Sequence, residues 1–281
     1  MLVLTFLVFH DLLWLPPNQF VGGVPHGSQG NDITFMFLPW WRFAVDRVTH
    51  GALPLWNPYL SSGSPFIANP QPALFYPPVW LIGILPATRT VGVLLVLHLW
   101  LAGWGMYTWL QAEGASHPGA ILGAAVFAFS GYFFVRAYAG HIGVIMTQAW
   151  LPWMLWTCRQ AMAQRRWPWI VLGGLPVGLS LLAGHTASFL YVGGILAVYA
   201  LYMAWRNGDY ALLGLKTALW PLLGILTVGI GLAAVQLIPT FQFLALSTRQ
   251  QASYAFSATY SWPPGYLLTL LIPNFFGDAV T

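Results

Sequence analysis

The sequence predicts an all-α polytopic membrane protein with about seven to nine transmembrane helices. A long first outer loop carrying amphipathic interfacial helices completes that fold class. Three observations predict it. Only 6% of the 281 residues are charged, against roughly 25% in soluble domains, too few to cover a surface facing water. Hydrophobic residues make up 58% and mean hydropathy is +0.68, as a hydrocarbon solvent allows. The 16 Trp and 21 Pro suit interfacial indole belts and broken helices or structured loops between spans.

The first apolar stretch runs from Met1 to Leu15 and stops at Pro16 and Pro17. No basic residue precedes it, which argues against a signal peptide. Further stretches of spanning character are Val91–Gln111, Ala120–Phe134, Ile142–Thr157, Trp169–Leu182, Ser188–Trp205 and Leu219–Ile238. Tyr266–Phe276, interrupted by Pro273, is a last span or a re-entrant helix. The chain thus reads as one transmembrane domain over 1–281: a first span at 1–15, an outer loop at 16–89 and the remaining spans in 90–281.

Orientation follows from basic residues in short loops, which favour the cytoplasm. Arg159–Arg166 is the most basic segment, and Arg206–Lys216 adds two more basic residues two spans later. Alternation then places the N-terminus and Glu113–His117 inside. It places Pro16–Arg89, Arg136–His141, Gly184–Ala187 and Pro239–Pro264 outside. The formal charge of +4 is scattered in this way rather than clustered, which excludes a nucleic-acid partner. The single cysteine, Cys158, excludes an intrachain disulfide and a multi-cysteine metal site, and reads as a buried, inert thiol.

The outer loop is too long for a plain connector. Ile33–His50 reads as helical, interrupted at Pro39, which suits the first turn of a second piece. In that piece Trp40, Trp41, Phe43 and Val48 oppose Arg42, Asp46, Arg47 and His50, the pattern of an amphipathic helix lying on the outer leaflet. Arg42 and Asp46 stand four apart and can pair. The turn-rich, aromatic runs Leu53–Tyr59, Ser61–Phe66 and Phe75–Pro78 suit a fixed cap packed on the helices.

Six acidic residues make each one informative. Asp32 follows the first span on the outer side, either as a general base or metal ligand or as the N-cap of the Ile33 helix. His10 and Asp11 read as a buried polar contact between helices, with a functional pair at membrane depth as the other reading. Arg136, His141 and His185 fall on outer helix ends with Asp32. They form a candidate site for an anion or sugar phosphate, with Arg249 a weaker member. Glu113 and Asp209 read as solvated loop charges. No Gly-rich phosphate loop, His-Glu-x-x-His or Gly-x-Ser-x-Gly motif is present. Glycines spread through the spans suit close helix contact.

The order of blocks then suggests a family. Asp32 is followed by His50, Gly51, Pro54, Leu55, Trp56, Asn57, Pro58 and Tyr59. Next come Gly63, Pro65 and Phe66, then Phe75, Tyr76, Pro77 and Pro78. Later come Ser130-Gly131-Tyr132, Arg136, Gly140-His141, Trp150-Leu151-Pro152, Gly184-His185 and Leu271–Gly277. This pattern resembles the YfhO-type bacterial membrane proteins, which are similar to GT-C-fold glycosyltransferases. The resemblance covers nearly the whole chain. It implies a multi-span enzyme of the bacterial inner membrane and cell envelope, taking a sugar from a polyprenyl-phosphate donor on the outer face. By the same resemblance Asp32 matches the acidic residue that serves as base or metal ligand. Arg136, His141 and His185 would line the donor-phosphate or acceptor site. Thr186-Ala187 departs from the Pro-Gln that often follows Gly-His in the family. Relatives continue past the position of Thr281, so this chain is expected to be an N-terminal portion.

The chemistry expected is sugar transfer with inversion: Asp32 takes the acceptor hydroxyl proton and Arg136 steadies the departing lipid phosphate. A divalent cation could share that task, although no second carboxylate close in sequence completes a site and Asp278 is the outside candidate. The partners implied are membrane lipid and a lipid-linked sugar. The alternative is a non-catalytic scaffold or accessory subunit that docks other subunits of a membrane complex through its Trp and Phe surface. A lipid or solute transporter, the third reading, would want more polar groups at mid-membrane than His10 and Asp11.

Overall fold

The computed structural model describes residues 2–14, 32–60, 62–206, 212–247, 253–259, 261, 263–272 and 275–277. Arg249, Asp209, Pro273 and Asp278, along with positions 15–31 of the outer loop, lie outside the described residues, as does the side chain of Lys216. The protein is 76% helical with almost no sheet. It divides into two compact units, Met1–Phe241 and Gln242–Thr281.

In the first unit the helices are α1 (Leu2–Leu13), α2 (Leu38–Thr49), α3 (Ala87–Ala112), α4 (His117–Ala128), α5 (Gly131–Tyr138), α6 (Ile142–Gln148), α7 (Leu151–Gln164), α8 (Trp167–Leu182), α9 (Thr186–Arg206) and α10 (Leu212–Ala245). Among the described residues, four stretches are long and apolar enough to cross a membrane: Ala87–Ala112, His117–Tyr138, Thr186–Arg206 and Leu219–Ala245. That corrects the expected seven to nine. Ala120–Phe134 falls inside the stretch His117–Tyr138, with a local break at Ser130, the N-cap of α5. Ile142–Thr157 is not one helix: it divides at Ala149 and Trp150, with Pro152 in the first turn of α7. α1 and α8, at 12 and 16 residues, fall short of the roughly 20 that a span needs.

The outward faces of the long helices are apolar. Ile121, Leu122 and Val126 on α4, Leu190, Ile195 and Val198 on α9, and Leu223, Ile230 and Val235 on α10 are exposed, a surface that fits lipid better than water. Where helices meet, small residues let backbones close in. A Cβ on Gly174 would sit 2.3 Å from Val228 of α10, and one on Gly229 would sit 2.3 Å from Val177 of α8.

The outer loop is a folded cap. A two-residue antiparallel pair joins β1 (Trp56–Asn57) to β2 (Ser64–Pro65), and a 3₁₀ turn follows at Pro77–Gly83. Phe66, Ala73, Tyr76 and Val79 are buried in one core with Leu94 and Leu95 of α3 and Ile142 and Ile145 of α6. A buried polar chain fastens the cap to the bundle. His98 Nδ1–H donates to the Leu94 carbonyl at 2.6 Å. Nε2 is therefore the acceptor for Tyr76 O–H at 2.6 Å, and Trp150 Nε1–H donates to the Tyr76 oxygen at 2.9 Å. Burial holds the Tyr76 phenol well above its usual range, so it remains a donor. On the far side Gln236 and Thr240 of α10 donate to the carbonyls of Ile67 and Ala68.

The structure corrects the expected outer-leaflet helix. α2 buries Trp40, Trp41 and Ala44, and Trp41 Nε1–H donates to the Pro72 carbonyl at 2.9 Å, so its apolar face packs on the cap. Asp46 lies 3.4 Å from His50 and makes no ion pair with Arg42. His10 and Asp11 pair with each other at 3.1 Å on an exposed face of α1 rather than holding helices together. Cys158 is fully buried.

In the second unit, α11 (Tyr254–Ala258) and a 3₁₀ turn at Pro264–Leu270 are the described elements. The expected last span Tyr266–Phe276 is therefore not one continuous spanning helix. Tyr266 stacks on Phe276 with ring centroids 4.7 Å apart.

Candidate functional site

Asp32, Arg136, His141 and His185 line one cavity of about 190 Å³ together with Met36, Phe37, Gln71, Tyr132, Ser188 and Tyr191. Four chain segments deliver them. Asp32 opens the π-turn Ile33–Phe37 that leads into α2, and its side chain makes no N-cap bond. The capping role expected for Asp32 is therefore absent, and its carboxylate Oδ2 lies 3.4 Å from His141 Nε2. Arg136 sits in the last turn of α5. Gly140, at φ +79°, reverses the chain so that His141 can open α6.

His185 follows Gly184, at φ +93°. A Cβ on Gly184 would stand 2.5 Å from the Pro70 carbonyl oxygen, so the cap rests directly on this turn and brings Gln71 to the cavity. The imidazole of His185 also caps α9, because Ser188 N–H donates to Nδ1 at 3.1 Å. Its proton is then on Nε2. Burial lowers the pKa of His185, and the neighbouring His141 and Arg136 push it in the same direction, so the ring is held neutral.

Among the described residues Arg136 has no carboxylate partner. Its Nη1 donates to His141 Nδ1 at 3.0 Å, and its guanidinium carbon lies 5.2 Å from the centroid of the Tyr132 ring. Gln148 Nε2 donates to the Tyr132 hydroxyl at 3.0 Å and to Ser188 Oγ at 3.4 Å. The cavity therefore presents a cation whose partners are neutral, a half-exposed carboxylate and two imidazoles. Such an arrangement can receive an anion at Arg136 while Asp32 accepts a proton nearby.

The donors do not fit a divalent cation. Among the described residues Asp32 is the one carboxylate lining the cavity, and both histidines have Nδ1 engaged as acceptor. Among the described residues no group of three or more His, Cys, Asp or Glu could hold a metal ion.

All four residues singled out in the sequence meet here. Sequence reasoning missed Gln71, Tyr132, Gln148 and Ser188. Tyr132 had a readable signal, since a ring four residues before an arginine on a helix lies beneath it. Gln71 had none, because only the fold of the cap brings it in. Glu113 is a correction. Expected as a solvated loop charge, it is 17% exposed, with Arg206 Nη1 2.7 Å from Oε2 and Arg159 Nε 3.1 Å from Oε1. Tyr199 donates to the same Oε1. This cluster and the cavity lie at opposite ends of the bundle. α9 begins beside His185 and ends at Arg206, and 21 residues at a rise of ~1.5 Å span about 30 Å.

No protein-family model, curated protein or solved structure matches the chain.

Proposed function

We propose that this protein is a GT-C-like membrane glycosyltransferase of the YfhO type, which moves a sugar from a polyprenyl-phosphate donor to an acceptor hydroxyl. The observation that carries the reading is the meeting in one cavity of Asp32 with Arg136, which has no carboxylate partner among the described residues, at the end of a helix about as long as the hydrocarbon core of a bilayer is thick. We place the cavity on the outer face of a bacterial inner membrane, with the N-terminus and the Arg159–Arg166 segment in the cytoplasm. The shorter helices α1, α8 and the α6–α7 pair would pack against the four long ones in the membrane and bring the bundle to seven segments, the low end of the expected range.

Asp32 takes the proton of the acceptor hydroxyl as its oxygen bonds to the anomeric carbon. The bond from that carbon to the phosphate oxygen breaks, with inversion, and the electron pair leaves with the lipid phosphate. Arg136 faces the charge that develops there, and His185 Nε2–H adds a neutral donor. At about 190 Å³ the cavity is smaller than a typical ligand pocket of roughly 300–1,000 Å³, which suits a head group whose lipid tail stays outside.

The test uses the protein in lipid nanodiscs with undecaprenyl-phosphate-linked hexoses and a mixture of hydroxyl acceptors, reading release of undecaprenyl phosphate. Release by the wild type, reduced roughly 10²–10⁴-fold in Asp32→Asn at unchanged expression, supports the reading. Full release by Asp32→Asn would sink it.

The scaffold alternative draws on a different observation. Trp100, Trp104, Trp153, Trp156 and Trp169 run in consecutive ring contact across α3, α7 and α8, with centroids 5.0–5.9 Å apart. Stable copurification of other membrane subunits, lost on replacing Trp100 and Trp104 by Leu, would favour that reading.

A further inference from the structure

Asp32 reaches the cavity with Oδ2 at ion-pair distance from His141, close enough to be drawn into a hydrogen bond when a ligand closes the site. A guanidinium has donors and no acceptor, so the contact of Arg136 Nη1 with His141 Nδ1 at 3.0 Å puts the imidazole proton on Nε2. That edge faces Asp32 Oδ2 at 3.4 Å. Behind Arg136 stands the Tyr132 ring, itself fixed by Gln148. Each group in the row Gln148, Tyr132, Arg136, His141, Asp32 is thus oriented by the one before it, and the row ends on the carboxylate.

A carboxylate 44% exposed, with His141 its ion-pair partner among the described residues, would sample several rotamers if that partner were lost. A general base must bring its oxygen within about 2.6–3.2 Å of the atom that bears the proton it takes, and a misplacement of ~1 Å costs about 100-fold. We propose that His141 is a positioning residue: Arg136 sets its tautomer, and through Nε2–H it holds Asp32 Oδ2, leaving Oδ1 for the acceptor hydroxyl. The proposal rests on the transferase reading and changes the part given to His141, from a contact with the ligand to a hold on the base.

Two variants separate the roles. His141→Leu keeps bulk and removes the donor, and His141→Gln keeps an N–H near the place of Nε2. With undecaprenyl-phosphate-linked hexoses in nanodiscs, His141→Leu lowers kcat about 100-fold with KM within about twofold of wild type. His141→Gln restores kcat to within about tenfold of wild type. A raised KM at unchanged kcat, or equal loss in both variants, overturns the proposal.

A second readout needs no turnover. In protein labelled with ¹⁵N-histidine, the His141 resonances, assigned by their loss in His141→Gln, show a protonated Nε2 and a bare Nδ1. In Arg136→Met that single tautomer gives way to a mixture. A proton on Nδ1 in the wild type overturns the relay whatever the activity. A wild type with the expected tautomer that releases no undecaprenyl phosphate overturns the transferase reading instead and leaves the relay's geometry standing.

Discussion

Glu113 and Asp32 each stand near arginine, and the fold treats them in opposite ways. Glu113 is enclosed by Arg159, Arg206 and Tyr199. Both of its oxygens are engaged, and little of it meets solvent. Among the described residues Asp32 has one ion-pair partner, an imidazole, and Arg136 in the same cavity gives its hydrogen bond to that imidazole instead. A charge whose partners are all supplied by the protein contributes to holding the structure together, and breaking such a set leaves an uncompensated ion. A charge left partly unmet in a cavity contributes little to stability and remains open to a ligand. The same residue types therefore serve as a clamp at one end of the bundle and as a candidate reaction centre at the other.

The sharpest way to break this contrast is to exchange the expected losses. Asp32→Asn should lower transfer by at least about 100-fold and leave the thermal midpoint within experimental scatter. Glu113→Gln should destabilise by about 1.5–3 kcal/mol, the scale of a hydrogen bond to a charged group, with transfer per folded molecule retained. If the two variants swap these outcomes, the assignment of clamp and site is reversed.

Next in size is Arg136→Met. It should weaken binding of undecaprenyl phosphate about 10- to 100-fold, read as loss of the ligand-induced rise in melting temperature. The melting temperature without ligand should hold, because no carboxylate loses its partner. Gly184→Ala then probes the join between cap and cavity. A residue with a Cβ is strained at φ +93°, and that Cβ would meet Pro70 at 2.5 Å. Unfolding should become easier by about 1–3 kcal/mol.

The smallest effect is the pH dependence carried by His185. Its folded pKa is lowered, so the unfolded chain binds the proton first as pH falls below about 6.5. Stability present above that pH is lost on acidification. His185→Gln should flatten the fall in melting temperature below about pH 6.5. An unchanged slope would mean that the ring is not held neutral.

Much of the site was legible in the sequence because polar residues are rare in this chain. Asp32, Arg136, His141 and His185 stood out at apolar helix ends, and the four line one cavity. Glu113 was not legible. Its partners lie 86 and 93 positions away, at Tyr199 and Arg206, and nothing local distinguishes a clamped carboxylate from a solvated one. The apolar stripe of α2 was readable, but periodicity does not say what covers it, so Trp41 was assigned to lipid rather than to the Pro72 carbonyl. Hydropathy also ran through the break at Ala149 and Trp150. Window averages respond to apolar content, while a helix stops on a backbone cap or a proline.

α9 joins the two ends in a single rod. Hydrogen-bonded backbone resists compression along its axis, so the distance from the Ser188 cap to the Glu113 clamp acts as a fixed gauge. In membranes of different acyl length, that gauge makes the surrounding lipid stretch or thin to match the protein, and the spacing of Asp32 and Arg136 stays as it is.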